Sequence, residues 1–428
     1  MVKRFLVVAF ALVVLAAAGL YALAYQPLIA AVTPDRNFAP ETVAKGAMLA
    51  AGGNCAECHT TKAGQPYAGG YAMKTAFGTI HSTNITPDVE TGIGAWSEAA
   101  FRRAMHNGVA RDGSQLFPAF PYDHFTKLSD ADVGALYAYL MSQKPVHAPA
   151  KASTIPFPLN IRALQAGWKL LFFTPGRFAP DAAHDAVWNR GAYLADALGH
   201  CGACHSPRNR LGAEQADHAY AGAAIDGWIA PALTAANPSP VAWSTPELAA
   251  YLGTGVSQYH GTAVGPMSAV VHHGVSKLSL ADQAALAVYI ASLGGGDARS
   301  GQSAAAIARA TAANAAGWRP HDDDARLFTA ACASCHYRAG TPNPLRPDIG
   351  LNSAANLDEP TNLVQVMLHG IGAEPGAPGI VMPGFAGFSD ATIARLAAHI
   401  RQTRTSKPAW TDLERKVAAI RADGAKGA

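Results

Sequence analysis

The chain has 428 residues and a formal charge of +3 at neutral pH. Charged residues make up 15% and apolar residues 50%, whereas about a quarter of the residues in an ordinary soluble domain are charged. The sequence contains no stripe of Lys and Arg, so we expect no nucleic-acid partner. The length allows about three domains, and the low charge suits helices that pack on a cofactor, a membrane or another subunit.

The N-terminus is an apolar segment behind two cations. Lys3 and Arg4 precede residues 5–25, which carry no charge, and about 20 helical residues span a bilayer core. We expect residues 1–27 to form a membrane anchor, which the length favours, or a cleaved export signal, for which Ala22-Leu23-Ala24 has the small-x-small form. Either role places the remaining chain on the periplasmic side of the cell inner membrane.

One motif occurs three times and uses every cysteine of the chain. It reads Cys-Ala-Glu-Cys-His at 55–59, Cys-Gly-Ala-Cys-His at 201–205 and Cys-Ala-Ser-Cys-His at 332–336. In c-type haem attachment, two thiols one helical turn apart bind the vinyl groups and the adjoining histidine ligates the iron. The sequence therefore predicts three covalently bound haem c groups. Attachment is assigned to Cys55, Cys58, Cys201, Cys204, Cys332 and Cys335, and iron ligation to His59, His205 and His336.

Zinc binding and redox thiols are the competing interpretations of these cysteines. A structural zinc site built from Cys-x-x-Cys pairs uses two pairs, so three distant pairs would leave one without a partner. A thioredoxin-like dithiol is found in a βαβ context and needs one pair rather than three. The stoichiometry therefore favours haem.

Each motif is preceded by a helical stretch and followed by a second amphipathic helix that begins at a serine. Ser129, Ser279 and Ser389 can cap these helices, and Asp132 and Asp282 occupy the capping-box position. Between the two helices the sequence is rich in Gly, Pro, Asn and Thr and shows almost no strand alternation, which predicts loops around the haem edge. The apolar residues that follow the caps at helical spacing are Leu136, Leu140, Leu286, Ile290, Leu396 and Ile400.

The predicted fold class is mainly α, with three consecutive cytochrome c-like helical haem domains after the N-terminal transmembrane or signal segment. The predicted domains comprise residues 28–148, 184–297 and 298–410. Residues 149–183 are expected to form a linker on the protein surface. The tail, residues 411–428, has one narrow apolar stripe at Leu413, Val417 and Ile420, which favours a plain terminal helix over a membrane-lying one.

Two methionines are the predicted sixth ligands of the second and third irons. A haem used for electron transfer commonly has His and Met as axial ligands. Met267 and Met382 lie in loops rich in Pro and Gly, twelve and seven residues before Ser279 and Ser389. Methionine as core filler is less expected in such loops than on an apolar helix face.

The first unit has Phe120 where the repeat would place methionine. His124, five residues before the cap at Ser129, is the nearest group in that loop able to bind iron. An open or water-filled position is the alternative. Other candidates are His106, His81 and Met105. The position of Met105 in the sequence places it on the inner face of a helix.

With three haem units after an export segment, the chain resembles the triheme cytochrome c subunits of membrane-bound dehydrogenases of acetic acid bacteria. Those subunits serve alcohol, gluconate, sorbitol and aldehyde dehydrogenases. The resemblance covers residues 45–410 and is carried by the stretches 78–88, 91–97, 198–209 and 382–385. It implies a catalytic dehydrogenase subunit as partner, with electrons passing through the three haems to ubiquinone within the membrane lipid.

The loop around Phe120 bears on which dehydrogenase is the partner. Family members that serve quinoprotein alcohol dehydrogenases and flavin-dependent polyol dehydrogenases typically have Pro-Ala-Met-Pro-Tyr, whereas this chain has Pro-Ala-Phe-Pro-Tyr at 118–122. This form resembles subunits that accompany molybdenum hydroxylases of aldehydes or N-heteroaromatics. The resemblance thus implies a molybdenum partner with a small Fe-S subunit, and a quinoprotein, polyol or gluconate dehydrogenase is the alternative.

The sequence shows no paired acid and base and no Gly-rich dinucleotide loop, so we assign no catalytic residue. Substrate chemistry is therefore expected in another subunit. Two further hypotheses remain open at this point. One is an autonomous haem peroxidase or oxidase working at an open first iron, and the other is a free-standing electron carrier.

Overall fold

The helices that close the repeat units form where the sequence places a serine ahead of apolar residues at helical spacing. In the computed structural model each of these serines accepts a hydrogen bond from a backbone N–H three residues further on, at 3.1–3.2 Å; the pairs are Ser129 with Asp132, Ser279 with Asp282, and Ser389 with Thr392. All six predicted apolar residues behind the caps are buried. The mainly α fold class is confirmed.

The structure describes residues 2–295, 299–315, 322–336, 346–372 and 382–425. Their contacts define two compact units, of which the first comprises Met1–Asp181 and Tyr193–His200 and the second comprises Ala182–Ala192 and Cys201–Ala428. The first Cys-x-x-Cys-His motif lies in the first unit and the other two lie in the second. The domain boundaries given above stay a prediction.

The helices up to residue 200 are α1 (Val2–Ala24), α2 (Pro40–Gly52), α3 (Cys55–His59), α4 (Glu98–Asn107), α5 (Tyr122–Phe125), α6 (Asp130–Met141), α7 (Leu164–Phe172) and α8 (Ala186–Tyr193). A π-helical turn, Leu194–Leu198, continues α8. The later helices are α9 (Gly202–His205), α10 (Thr245–Thr254), α11 (Pro266–Ala269), α12 (Leu280–Leu293), α13 (Ser300–Ala315), α14 (Asp323–Phe328), α15 (Ser334–His336), α16 (Ser353–Asn356), α17 (Thr361–His369), α18 (Asp390–Arg404) and α19 (Leu413–Ala425).

The loops between the helices contain short antiparallel hairpins that the sequence analysis did not predict. They are β1 (Ala72–Thr75) with β2 (Gly78–His81), β3 (Ala223–Ile225) with β4 (Trp228–Ala230), and β5 (Val256–Ser257) with β6 (Gly261–Thr262). Strands of two to four residues are too short to show an alternating pattern. In the second hairpin, Ile225 pairs with Trp228 across a two-residue turn.

A glycine sits at the helix crossing in each of the first two repeats. A Cβ placed on Gly46 of α2 would lie 2.0 Å from the carbonyl O of Ala135 in α6. A Cβ placed on Gly191 of α8 would lie 2.1 Å from the carbonyl O of Ala285 in α12. The matching contacts support the internal repeat that the sequence indicates, since both crossings depend on a missing side chain.

The capping-box acids also connect these crossing helices. The carboxylate of Asp132 lies 2.6 Å from Lys45 Nζ of α2. The carboxylate of Asp282 accepts from Arg190 Nε of α8 at 2.7 Å and from its Nη2 at 3.0 Å. Each acid therefore forms an ion pair between the closing helix of its repeat and the helix that precedes the Cys-x-x-Cys-His motif.

The N-terminal helix α1 exposes large apolar side chains along its length, among them Phe5, Leu6, Phe10, Leu12 and Leu15. Within the ranges given above, the structure has no helix that combines the length and the apolar character needed to cross a membrane.

Residues 149–181 of the predicted linker belong to the first unit and include α7. Lys169 Nζ of α7 donates to the carbonyls of Asn107 and Gly108 at the end of α4 and to Gln115 Oε1, at 2.5–2.8 Å. Burial lowers the pKa of this ammonium group to about 8. Charged contacts to backbone carbonyls at a helix C-terminus thus hold the segment in place.

The tail forms the predicted terminal helix, α19. Val417 is buried, and Leu413 and Ile420 pack against the apolar core that α14, α17 and α18 build in the third repeat. Arg401 of α18 is also buried there and donates to the carbonyls of Ala355, Leu357 and Pro408 at 2.7–2.9 Å.

We expect Gly191→Ala to lower the free energy of unfolding by roughly 1–3 kcal/mol, because its Cβ would meet the Ala285 carbonyl and overpack the crossing. Gly167→Ala is the matched control, since a Cβ at that helical position meets nothing within 4 Å and should stabilise slightly. Urea unfolding followed by circular dichroism compares the two. Equal midpoints would contradict the close crossing.

Candidate haem-binding sites

The three motifs adopt helical backbone, which brings each thiol pair to one side of a turn. The first motif is the whole of α3, and the second begins at Cys201, the N-cap residue of α9. The third starts in a π-helical turn, Thr329–Ala333, and continues into α15. None of the six motif cysteines forms a disulfide, which is compatible with thioether formation with a haem.

The surroundings of these thiols do not suit a redox dithiol. Burial raises the pKa of Cys55 to about 12 and that of Cys332 to about 11, and in each case the neighbouring motif cysteine adds to the shift. Burial also raises the pKa of Cys204. Reactive dithiols instead have a lowered pKa, because the thiolate is the reactive form.

Each motif histidine contacts a backbone carbonyl through Nδ1. The Nδ1 atoms of His59, His205 and His336 lie 2.6, 2.7 and 3.1 Å from the carbonyl oxygens of Thr83, Pro231 and Pro347, respectively. A carbonyl can only accept, so Nδ1 carries the proton and the Nε2 lone pair is the one that can bind iron. Metal-ligating histidines are typically oriented in this way.

Burial lowers the pKa of all three imidazoles, and the carbonyl contact opposes that shift. The neutral imidazole that binds metal is therefore favoured. Donor set, tautomer and spacing all fit a haem c at each motif.

Two glycines allow the carbonyl loops to approach. Gly69 has φ +75° and its N–H donates to the His59 carbonyl, and a Cβ there would lie 2.4 Å from the Thr83 carbonyl carbon. Gly222 has φ +89° and donates to the His205 carbonyl, and a Cβ there would lie 2.8 Å from the Ala232 N. Sequence reasoning missed Thr83, Pro231 and Pro347, because a backbone acceptor leaves no side-chain pattern.

The predicted distal methionines lie in positions fixed by their backbone. Met267 is half-buried in α11, which follows Gly265 at φ +57°. Met382 is half-buried and exchanges two backbone hydrogen bonds with Ile371, at 2.9 and 3.0 Å. The flanking Val381 lies outside the described residues. Ligation by both methionines stays a prediction.

In the first unit, His124 lies buried in α5, and its Nδ1 is 2.8 Å from the carbonyl oxygen of Asp196. This is the same contact that the motif histidines make. Asp196 lies in the π-helical turn that precedes the second motif, so the structure brings His124 close to that segment. The Phe120 ring packs on Phe125, with the centroids 5.4 Å apart.

The other candidates of the first unit have their own contacts. His106 is buried and its Nδ1 contacts Arg177 Nη2, with an Asp130 carboxylate oxygen 3.7 Å away. Burial and, after it, the Arg177 charge lower the pKa of His106 to about 4. His81 Nδ1 lies 2.9 Å from the Ala152 carbonyl, and Met105 is buried on α4, as its helical position predicts.

Helical units that each carry a Cys-x-x-Cys-His motif with a carbonyl-oriented histidine define a c-type cytochrome. Comparison with known proteins agrees. Residues 43–144 match the family "Cytochrome c", and residues 320–400 match "Cytochrome C oxidase, cbb3-type, subunit III".

Relatives that match most of the chain show which kind of c-type cytochrome it is. The chain is 39% identical to the fructose dehydrogenase cytochrome subunit of Gluconobacter japonicus, over 80% of this chain and 74% of that protein. It is 38% identical to the gluconate 2-dehydrogenase cytochrome c subunit of Pantoea cypripedii, over 89% of this chain and 90% of that protein. The chain therefore belongs to the family of cytochrome c subunits of dehydrogenases, which confirms the resemblance noted from the sequence.

A third relative is larger. The chain is 46% identical to a nicotinate dehydrogenase subunit of Pseudomonas putida over 94% of its own residues. It spans about a third, 34%, of that protein's length.

We expect His124→Ala to make the reduced first haem bind carbon monoxide, and His124→Met to raise its reduction potential, because imidazole stabilises ferric iron more than a thioether does. His81→Ala is the control, since His81 also contacts a backbone carbonyl through Nδ1. Optical spectra and potentiometric titration report both effects. A Met-to-iron charge-transfer band from all three haems of the unmodified protein would contradict this assignment.

Proposed function

We propose that the chain carries three haem c groups and passes electrons from a catalytic dehydrogenase subunit to ubiquinone. The observation that carries the proposal is the threefold Nδ1–carbonyl contact, at His59, His205 and His336, in three Cys-x-x-Cys-His motifs whose cysteines form no disulfide. Relatives named as cytochrome subunits of dehydrogenases support it.

When bound, haem supplies one-electron transfer at its iron. The residues of this chain would attach the group and orient the imidazoles towards it. The six cysteines would form the thioether bonds. The carbonyl groups of Thr83, Pro231 and Pro347 orient the imidazoles and hold the proton on Nδ1. We propose Met267, Met382 and His124 as the opposite ligands, which would leave no iron open for substrate.

For the catalytic partner we propose a molybdenum-dependent hydroxylase of N-heteroaromatics or aldehydes, accompanied by a small Fe-S subunit. Two observations support this class. Identity to the nicotinate dehydrogenase subunit is 46%, against 39% and 38% to the fructose and gluconate dehydrogenase subunits. The Phe120 loop resembles subunits of the same class.

We further propose that the protein works on the periplasmic side of the cell inner membrane, in contact with lipid. The N-terminal cations and the exposed apolar side chains of α1 support this location. Exposed apolar side chains on and before α7 add to it: Phe157, Leu159, Ile161, Leu164, Leu170 and Leu171. Residues 157–172 include no acidic residue, and Lys169 among them is held by backbone carbonyls.

The proposal is tested with the catalytic subunit, its substrate and a short-chain ubiquinone analogue. We expect substrate to reduce the haems of this chain only when the catalytic subunit is present, and the quinone to reoxidise them. The Cys201→Ala/Cys204→Ala variant should lose this transfer, because the second site can no longer bind haem covalently.

Two results would contradict the proposal. Rapid peroxide or oxygen turnover by the chain alone would instead indicate an autonomous enzyme. Failure of the chain to co-purify with any dehydrogenase subunit, together with free exchange of electrons among soluble carriers, would indicate an independent carrier.

A further inference from the structure

Strand β4, within the second compact unit, contacts helix α17 of the third repeat, where Asn362 bonds to β4 itself and Gln365 Nε2 donates to the carbonyl of Gly227, in the turn before β4, at 3.0 Å. Ile229 N donates to Asn362 Oδ1 at 2.8 Å, and Asn362 Nδ2 donates to the Ile229 carbonyl at 2.8 Å. In an antiparallel hairpin, neighbouring residues alternate between facing the partner strand and facing away. Because Ile225 pairs with Trp228 at the turn, Ile229 directs its polar backbone away from β3 and towards Asn362.

Strand β4 and the residue that follows it contact two segments of the second predicted haem site. Pro231, two residues after Ile229, provides the carbonyl that orients His205 at 2.7 Å. At the other end, the Trp228 indole packs on Gly265, where a Cβ would lie 2.5 Å from Trp228 Cε2. Gly265 precedes the loop of Met267. A shift of β4 would therefore reach both predicted axial ligands of this iron.

Asn362 lies on α17, and that helix positions the distal loop of the third site. Met367 and Leu368 of α17 are buried in the core of the third repeat, and the Met367 carbonyl accepts from Phe385 N at 2.8 Å. Just beyond α17, Ile371 pairs with Met382. The Asn362–Ile229 contact thus connects the support of His205 with the support of Met382 through hydrogen bonds joined by short stretches of backbone.

We propose that Asn362 is a positioning residue that couples the second and third haem sites. It holds the Pro231 carbonyl in place against His205, and it provides a hydrogen-bonded contact between the two sites at the strand itself, beside the Gln365 contact at the turn. The inference rests on the proposed function. The step it serves moves one electron: one iron passes from ferrous to ferric while the other passes from ferric to ferrous, with no proton and no co-reactant.

The physical reason is the influence of an outer hydrogen bond on a metal ligand. A proximal histidine that donates through Nδ1 is a more basic ligand and favours ferric iron. When Asn362 is removed, β4 loses the partner of both polar groups of Ile229, and the Pro231 carbonyl is held less firmly. The second haem should then become easier to reduce.

Asn362→Leu keeps the side-chain size and removes both hydrogen bonds. In the full holoprotein we expect faster hydrogen exchange at residues 228–231, a higher reduction potential of the second haem, and electron transfer between the second and third haems slowed roughly ten-fold, the scale seen on losing an outer partner of a metal ligand. Titration in a Met382→His background tells the two haems apart, because it changes the third site alone.

Asn356→Leu is the matched control, since Asn356 is a buried amide whose side chain donates to the Gly350 and Asn352 carbonyls, both within the third repeat. Equal potential shifts in the two variants would overturn the proposal. So would faster exchange at β4 with unchanged potential and rate, because the contact would then be structural only.

Asn362→Asp retains the acceptor for Ile229 N–H and loses the donor, so it provides a milder variant if Asn362→Leu does not fold. It should shift the potential in the same direction by less, and an absent shift would overturn the inference. Failure of the proposed function looks different. The unmodified protein would then carry fewer than three haems, whereas exchange at β4 would still respond to Asn362.

Discussion

The contact between a histidine Nδ1 and a backbone carbonyl is the constraint around which each repeat is arranged. A motif histidine can present Nε2 to iron only if its ring is held and its proton is placed on Nδ1. Short hairpins and loops with positive-φ glycines bring Thr83 and Pro231 to the required positions. The crossing helices, with Gly46 and Gly191 at their contacts, then fix the segment that carries each motif.

The repeats share this arrangement and differ in the loop that carries the predicted second ligand of the iron. The second and third units retain methionine in the distal loop, whereas the first has Phe120 and a buried His124 that contacts the Asp196 carbonyl. A histidine in place of methionine would lower the potential of one haem relative to the others. In the second repeat, β4 leads into Pro231, whose carbonyl contacts His205, and β4 also contacts α17 of the third repeat through Asn362. The second and third sites therefore share structural elements.

The sequence was sufficient for the helices and the motifs, because both are local patterns. The serine caps, the buried Leu136 and Ile400, and the terminal helix with Val417 follow from spacing alone. The acceptor carbonyls and the three hairpins could not be predicted, since a backbone group has no sequence signature and strands of two to four residues show no period. Asn362 was missed because its partner, Ile229, is 133 residues away.

The central claim is that one chain holds three haems through six thioethers and three oriented histidines. Intact mass spectrometry of the exported protein tests it most directly. We predict a mass equal to that of the mature polypeptide plus three haems, with no metal lost on treatment with a chelator. A protein that carries two haems or fewer, or zinc released by the chelator, would contradict the account.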